Sequence, residues 1–137
     1  MRFKNVLCMC LVFLFLCLTS HAMGQKNVYR ATIDKDGVQR VSVIGGEYFF
    51  NPDYIVVKVN VPVELTIKKE SGVVPHDIVM HEPDAGIDFS LQMASESKKV
   101  RFTPRKVGKY PYYCDKKLLF FKSHRDRGME GTLEVVE

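Results

Sequence analysis

Residues 54–69 read YIVVKVNVPVELTIKK, two runs rich in β-branched residues separated by the turn sequence Asn60-Val61-Pro62. In the second run, Val63, Leu65 and Ile67 alternate with polar residues, the period-two pattern of a strand with one buried face. Similar short runs recur along the chain, at 28–33, 38–44, 47–50, 54–59, 63–69, 74–81, 98–103, 109–114 and 131–136. Their spacing predicts an all-β sandwich of about eight strands.

Turn sequences separate these runs, among them Asp34-Lys35-Asp36-Gly37, Gly45-Gly46 and Pro83-Asp84-Ala85-Gly86. Helical turns are expected only at 87–93 and at 116–121. The chain has no repeat, linker or low-complexity segment that would indicate a further domain.

Length and composition restrict the function classes. A chain of 137 residues with 46% hydrophobic and 26% charged positions has the composition of one globular domain, which excludes a disordered chain and a multidomain enzyme. Its 20 basic and 16 acidic side chains give a net charge of +4, too small and too evenly mixed to indicate nucleic-acid binding.

The first 22 residues have the layout of a signal peptide. A short basic stretch, 1–5, precedes thirteen residues without a charge, 6–18, and Ser20-His21-Ala22 offers small residues for cleavage after Ala22, with Gly24 as the second choice. The apolar run is shorter than the roughly 20 residues of a membrane-spanning helix. A lipoprotein site at Cys17 is disfavoured by the bulk of Leu16. We therefore expect a periplasmic or secreted protein, anchored to the membrane only if the signal stays uncleaved.

Cleavage removes three of the four cysteines and leaves Cys114 as the only thiol in 115 residues. No intrachain disulfide is then possible, although the exported protein meets an oxidising environment. An isolated cysteine is most often a small, inert core residue, so a functional interpretation requires partner residues.

Such partners lie close by in the sequence. Tyr110-Pro-Tyr-Tyr-Cys114 is followed after nine residues by His124 and then by Gly128-Met-Glu-Gly131, while Val74-Pro75-His76 lies on an earlier predicted strand. One thiolate, two imidazoles and one thioether form a soft donor set, which suits copper better than magnesium or calcium.

The order of these motifs resembles the cupredoxin family, the plastocyanins and their relatives, over residues 47–137, with residues 23–46 as additional N-terminal strands. The resemblance implies a cupredoxin-like Greek-key sandwich and one copper ion cycling between Cu(I) and Cu(II). It implies that His76, Cys114 and His124 form a trigonal plane around the metal and that Met129 is a weak axial ligand.

Two positions depart from the family pattern. Plastocyanin-like proteins place the histidine only a few residues after the cysteine, whereas here nine residues, 115–123, intervene, so the loop geometry cannot be copied. Asp77 stands where plastocyanins commonly have asparagine. In the family this position joins the ligand loops by hydrogen bonds, which a carboxylate could also do.

Three other potential ligands are given different roles. His81 lies five residues after His76, so on an extended strand it faces the opposite way and is expected to face solvent. Met80 shares the face of His76 but lies deeper, where core packing is expected. Met93 lies in a less regular segment that assigns it no role.

The inserted loop carries the apolar run 118–121, with Lys116, Lys117, Lys122, Arg125 and Arg127 around it. In cupredoxins the histidine of this loop reaches the surface through an apolar patch, so the resemblance implies the same for His124. A basic rim would attract a redox partner with an acidic docking face, such as a c-type cytochrome or an oxidase domain. The alternative is that the apolar side chains fold back onto the sandwich.

These features favour a monomeric electron carrier that is not an enzyme, and the alternative is a module for copper storage or delivery. A Cys114–His124 nucleophile and base pair would need an orienting group and an oxyanion site, and no motif supplies them. Copper oxidases and nitrite reductases of the same superfamily join several domains and more histidines. A metal-free adhesion domain is the remaining class.

Overall fold

The computed structural model describes residues 27–137 and places ten strands in two sheets that share one core. The strands are β1 (Val28–Arg30), β2 (Gln39–Gly46), β3 (Phe49–Asn51), β4 (Tyr54–Lys58), β5 (Val63–Lys69), β6 (Asp77–Glu82), β7 (Ile87–Gln92), β8 (Lys98–Phe102), β9 (Gly108–Tyr113) and β10 (Glu130–Val136). The predicted all-β class is confirmed. The predicted signal peptide, residues 1–22, lies outside the described residues.

The first sheet has the order β1-β4-β10-β9-β6-β7 and the second has the order β3-β2-β5-β8. Both sheets are mixed: β4 is parallel to β1 and to β10, and β2 is parallel to β5, while the other pairs are antiparallel. The predicted N-terminal strands therefore belong to the sandwich, β1 in one sheet and β2 in the other.

The core lies between the inner faces of the two sheets. Val43 and Ile67 come from the second sheet and face Ile55, Ile78 and Leu133 of the first, and all five side chains are buried. In strands such as β7 and β10, alternation sends the intervening side chains outward, so the period-two pattern of the sequence is the pattern of burial. In β4 and β6, by contrast, residues 55–57 and 77–80 are buried on both faces. Among residues 27–137, no helix is long and apolar enough to cross a membrane.

The helical turn predicted at 87–93 is wrong, because this segment forms β7. It pairs with β6 in antiparallel register from Asp77↔Gln92 to Glu82↔Ile87. Ile87, Phe89 and Leu91 are the less exposed residues and alternate with exposed polar ones. Ile87 and Leu91 also have the i, i+4 spacing of a helix face, and pairing with β6 decides in favour of the strand. No helix forms at 116–121 either.

The turn predicted at Gly45-Gly46 lies two residues later in the structure. Both glycines end β2, and the turn lies at Glu47 and Tyr48, so the strand predicted at 47–50 begins at Phe49 instead. A Cβ on Gly46 would overlap the Phe49 ring, whereas one on Gly45 would lie 2.5 Å from the Cε of Met93, the flexible end of a side chain, which would have to shift. Tyr48 accepts the left-handed conformation, with φ at 64°.

The outer face of the second sheet holds a carboxylate surrounded by cations. Glu64 is only 3% exposed and pairs in register with Arg40 on β2 and Arg101 on β8. Lys99 Nζ lies 2.9 Å from Oε1 of Glu64, and Arg101 Nε donates to Oε2 at 2.6 Å. The hydrogen bonds from Lys99 and Arg101 hold the pKa of Glu64 below its ordinary value.

Replacing Glu64 with glutamine should lower the melting temperature at neutral pH. A carboxyl whose folded pKa is lowered stabilises the fold above its unfolded pKa, about 4.3 for glutamate, and this stabilisation is lost as the pH falls through the folded value. The difference between wild type and Glu64→Gln should therefore be largest above about pH 5 and should shrink in acid. Thermal unfolding across pH measures it, with Glu82→Gln as the control, and a difference that grows in acid would contradict the assignment.

Candidate metal site

Three strand ends meet at one end of the first sheet. His76 precedes β6, Cys114 follows β9 and Met129 precedes β10. Since β9 is antiparallel to both β6 and β10, the end of β9 lies beside the starts of the other two. The sheet therefore brings together residues that are up to 53 positions apart in the sequence. His124 joins them from the loop between β9 and β10.

The donor atoms of His76, Cys114 and His124 lie within 4.8 Å of one another, and all three residues are buried. The two Nδ1 atoms are 3.0 Å apart, and Cys114 Sγ lies 3.5 Å from Nδ1 of His124 and 4.0 Å from Nδ1 of His76. The circle through three points at these separations has a radius of about 2.1 Å, close to ordinary metal–imidazole and metal–thiolate bond lengths. The three donors thus fit a single metal ion.

The predicted fourth residue, Met129, is fully buried beside this group. Its N–H donates to the carbonyl of His124 at 3.0 Å, and its carbonyl accepts from the Cys114 N–H at 3.1 Å. Its side chain extends toward β2, since its Cε would lie 3.4 Å from a Cβ built on Gly45. These bonds fix the backbone of Met129 to two of the donor residues.

Burial controls the protonation of the donors. It raises the pKa of the Cys114 thiol to about 11, so the metal-free chain holds a thiol at neutral pH. Burial also lowers the pKa of both His76 and His124, with further contributions from the charge of His124 on His76 and of Arg127 on His124. Neutral imidazoles keep a lone pair for a metal, whereas the thiol proton would have to be displaced by the metal itself.

Asp77 links the two segments that carry His76 and Cys114. Its carboxylate accepts from the Asp115 N–H at 2.9 Å and binds Lys116 Nζ at 2.9 Å. Its own N–H donates to Cys114 Sγ at 3.4 Å. A carboxylate at this position was expected to be able to join the ligand loops by hydrogen bonds, and Asp77 makes such bonds in the structure.

Tyr48 covers the two histidines and was missed in the sequence. Its ring meets that of His124 edge to face, with centroids 5.1 Å apart, and that of His76 at 6.3 Å. The guanidinium of Arg127 lies 4.7 Å above the Tyr48 ring. The sequence pattern predicts a strand over 47–50, whereas Tyr48 lies in a turn, so the pattern does not indicate that Tyr48 reaches the histidines.

His124 lies just beneath the surface and lines an apolar surface cavity, which agrees with the predicted route from this histidine to the surface. His124 itself is only 4% exposed, because the Tyr48 ring lies against it. The apolar run of that loop does not fold back onto the sandwich: Leu118, Leu119, Phe120 and Phe121 are all exposed. Leu118 and Phe121 line a surface cavity that reaches His124.

The other candidate ligands lie where the sequence indicated, with one addition. His81 is exposed and binds Asp88 on β7, and Met80 is buried in the core. Met93 follows β7, is buried, and reaches Gly45 from the same end of the sandwich as Met129. The methyl ends of two methionines therefore approach the same glycine near the donor group.

Comparison with solved structures supports the fold. The metal-binding domain of the Streptococcus pneumoniae Cu(I)-exporting P-type ATPase, solved with Cu(I), matches with 21% identity and a TM-score of 0.63, over 83% of this chain and 100% of that chain. A copper binding protein in its apo form matches with 25% identity and a TM-score of 0.58, over 82% and 100%. Reduced auracyanin from Roseiflexus castenholzii matches with 18% identity and a TM-score of 0.58, over 78% and 99%.

Sequence comparison with curated proteins finds no match. The family model of the cupredoxin-like domain, by contrast, matches residues 7–132, a range that also covers the N-terminal strands β1 and β2. The fold, the donor group and this match agree. The chain belongs to the family of cupredoxin-like domains, and its buried donor group is able to hold a metal ion.

Proposed function

We propose that this chain is an exported, monomeric, single-copper electron carrier, acting in the periplasm or outside the cell, with His76, Cys114, His124 and Met129 as its ligands. The observation that carries the proposal is the buried donor triangle, whose sides of 3.0, 3.5 and 4.0 Å already suit one ion. Bound copper would supply one-electron chemistry between Cu(I) and Cu(II).

Rigidity of the donor group supports electron transfer. His76 and Cys114 are held at the ends of paired strands, and Asp77 joins their segments. The backbone hydrogen bond from Cys114 to Met129 joins the two ends of the loop that carries His124. Donors that keep their positions when the charge of the metal changes require little reorganisation, which is what rapid electron transfer needs.

The partner is expected to dock at the end of the molecule where His124 lies. Arg127 covers Tyr48, and Arg125 lies 4.2 Å above the Tyr113 ring, so two cations flank the covered histidine. This charge favours a c-type cytochrome or an oxidase domain with an acidic docking face. The association rate should then fall as the salt concentration rises.

An enzymatic role has less support. A nucleophilic cysteine needs a lowered pKa, whereas burial raises that of Cys114. Within residues 27–137, the ring of His124 has hydrogen-bond contacts to His76 and Cys114, and no carboxylate orients it as a base. Bond chemistry is therefore not part of the proposal.

Copper storage or delivery is the second candidate function, and one observation favours it. Met93 and Met129 both reach Gly45 beside the donor group. Thioethers are soft ligands that prefer Cu(I), the form in which copper is handed between proteins. A protein adapted for delivery would release its metal to a competing ligand far more readily than an electron carrier does.

The two functions are separated by measuring electron exchange and metal release on the same copper-loaded protein. The electron-carrier proposal predicts rapid oxidation and reduction by a c-type cytochrome, slowed by added salt, and slow loss of copper to a chelator. Slow exchange together with rapid loss of Cu(I) to the chelator would reject the proposal in favour of delivery.

A further inference from the structure

The most exposed apolar surface of the described chain is a single loop tip beside the metal site. Leu118, Leu119, Phe120 and Phe121 are consecutive, and the Phe120 side chain is 99% exposed. We define these four residues as the apolar tip. A patch of this kind on a folded protein marks a surface that meets another protein or a membrane.

The tip projects because its turn is closed and its base is tied down. The Phe121 N–H donates to the Leu118 carbonyl at 2.9 Å, and Leu119 adopts a left-handed φ of 46°. At the base, the His124 N–H donates to the Lys116 carbonyl at 2.9 Å, and Lys116 binds the buried Asp77. The loop therefore presents its apolar side chains outward from a fixed support.

Two exposed cations flank the tip. Lys117 precedes it, Lys122 follows it, and neither makes a salt bridge within residues 27–137. No acidic residue occurs between Lys116 and Arg125. An apolar segment bounded by cations matches the cross-section of an anionic bilayer, with hydrocarbon inside and phosphate at the surface.

A second apolar residue lies at the same end of the sandwich. Val73, in the loop between β5 and β6, is 99% exposed, and its neighbour Val74 lines the same cavity as Leu118 and Phe121. A protein interface draws its apolar contacts from residues spread over a broad, closely fitted patch. Here the apolar area is concentrated in protruding loops, which favours insertion between lipid headgroups.

We propose that the apolar tip is a lipid-docking loop, which inserts into the surface of an anionic bilayer while Lys117 and Lys122 contact lipid phosphates. This inference goes beyond the proposed function, because the apolar tip lies outside the donor group and its docking does not require copper. Docking in this way would turn the end that carries His124 toward the membrane.

The chain contains no tryptophan, so Phe120→Trp gives a single fluorescent reporter at the tip. Val107→Trp is the matched control, since Val107 is also exposed but precedes β9 and so lies at the opposite end of the first sheet from Cys114. Both sheets and the core lie within residues 27–137, so the metal-free chain from residue 23 is used, which avoids vesicle binding by the apolar run 6–18.

Vesicles of phosphatidylglycerol and phosphatidylcholine should shift the Phe120→Trp emission to shorter wavelengths and leave Val107→Trp unchanged. Neutral phosphatidylcholine vesicles should bind far less. Each of Lys117→Gln and Lys122→Gln should weaken binding by about fivefold, whereas Lys35→Gln and Lys106→Gln should have little effect.

An unchanged Phe120→Trp emission would overturn the proposal, as would equal binding to neutral and anionic vesicles. A shift that appears without vesicles and grows with protein concentration would assign the tip to contact between two copies of the chain, and would also overturn it. Phe120 makes almost no contact with the fold, so misfolding of the reporter variant is not expected.

Discussion

Replacing Cys114 with serine should abolish the intense visible absorption of the Cu(II)-loaded protein. This absorption arises from charge transfer between a thiolate and copper, and Cys114 is the only cysteine in residues 27–137. Its Sγ lies 3.5 Å from His124 Nδ1 and 4.0 Å from His76 Nδ1, so the variant removes the thiol from the triangle. A serine hydroxyl is a harder, much less acidic donor that does not form the same bond.

The fold should survive this change, because serine has nearly the size of cysteine and the histidines and Asp77 keep their supports. Circular dichroism of the metal-free variant checks this point. His81→Gln is the control, since His81 is exposed on the opposite face of β6 and its replacement should leave the absorption intact. An intense band that persists in Cys114→Ser would show that the metal binds elsewhere.

Replacing Asp77 with alanine should destabilise the metal-free protein by about 2 kcal/mol. The Asp77 side chain is 3% exposed, and the change removes the acceptor of the Asp115 N–H and the partner of Lys116. Full loss of a buried ion pair costs more, but Lys116 is partly exposed and regains water, which reduces the effect. Urea unfolding of the metal-free protein measures the free energy.

Asp77→Asn is the matched control, because its amide oxygen can still accept from the Asp115 N–H. It should recover at least half of the lost stability. In the copper-loaded protein, Asp77→Ala should also speed the loss of metal to a chelator, since the segment after Cys114 is no longer joined to β6. Equal stability of the alanine and asparagine variants would show that the hydrogen bond to Asp115 contributes little.

The strands, and the residues that meet at one end of the first sheet, could be predicted from the sequence for the same physical reason. Alternation such as that of Val63, Leu65 and Ile67 reports directly which face is buried, and strand order then limits which residues can meet. His76, Cys114 and Met129 each lie next to the end of a strand. A correct assignment of the strands therefore puts all three residues close to the same end of the sheet. The nine residues between Cys114 and His124 did not prevent this, because the loop projects outward from a fixed base.

The features that sequence reasoning missed depend on tertiary contacts. The sequence pattern of β7 fits either a helix or a strand, and only its hydrogen-bonded pairing with β6 selects the strand. The burial of His124 depends on Tyr48, whose left-handed turn conformation has no distinctive sequence pattern. The exposure of Phe120 depends on the closed turn between Leu118 and Phe121, which local composition does not specify.

The central claim is that one copper ion binds at the Cys114, His76 and His124 triangle. The most direct measurement is a Cu(II) titration of the chain from residue 23, followed by visible absorption and by metal analysis after gel filtration. The account predicts an intense thiolate-to-copper band that saturates at one copper per chain and is absent in Cys114→Ser. A colourless protein that retains no stoichiometric copper would contradict it.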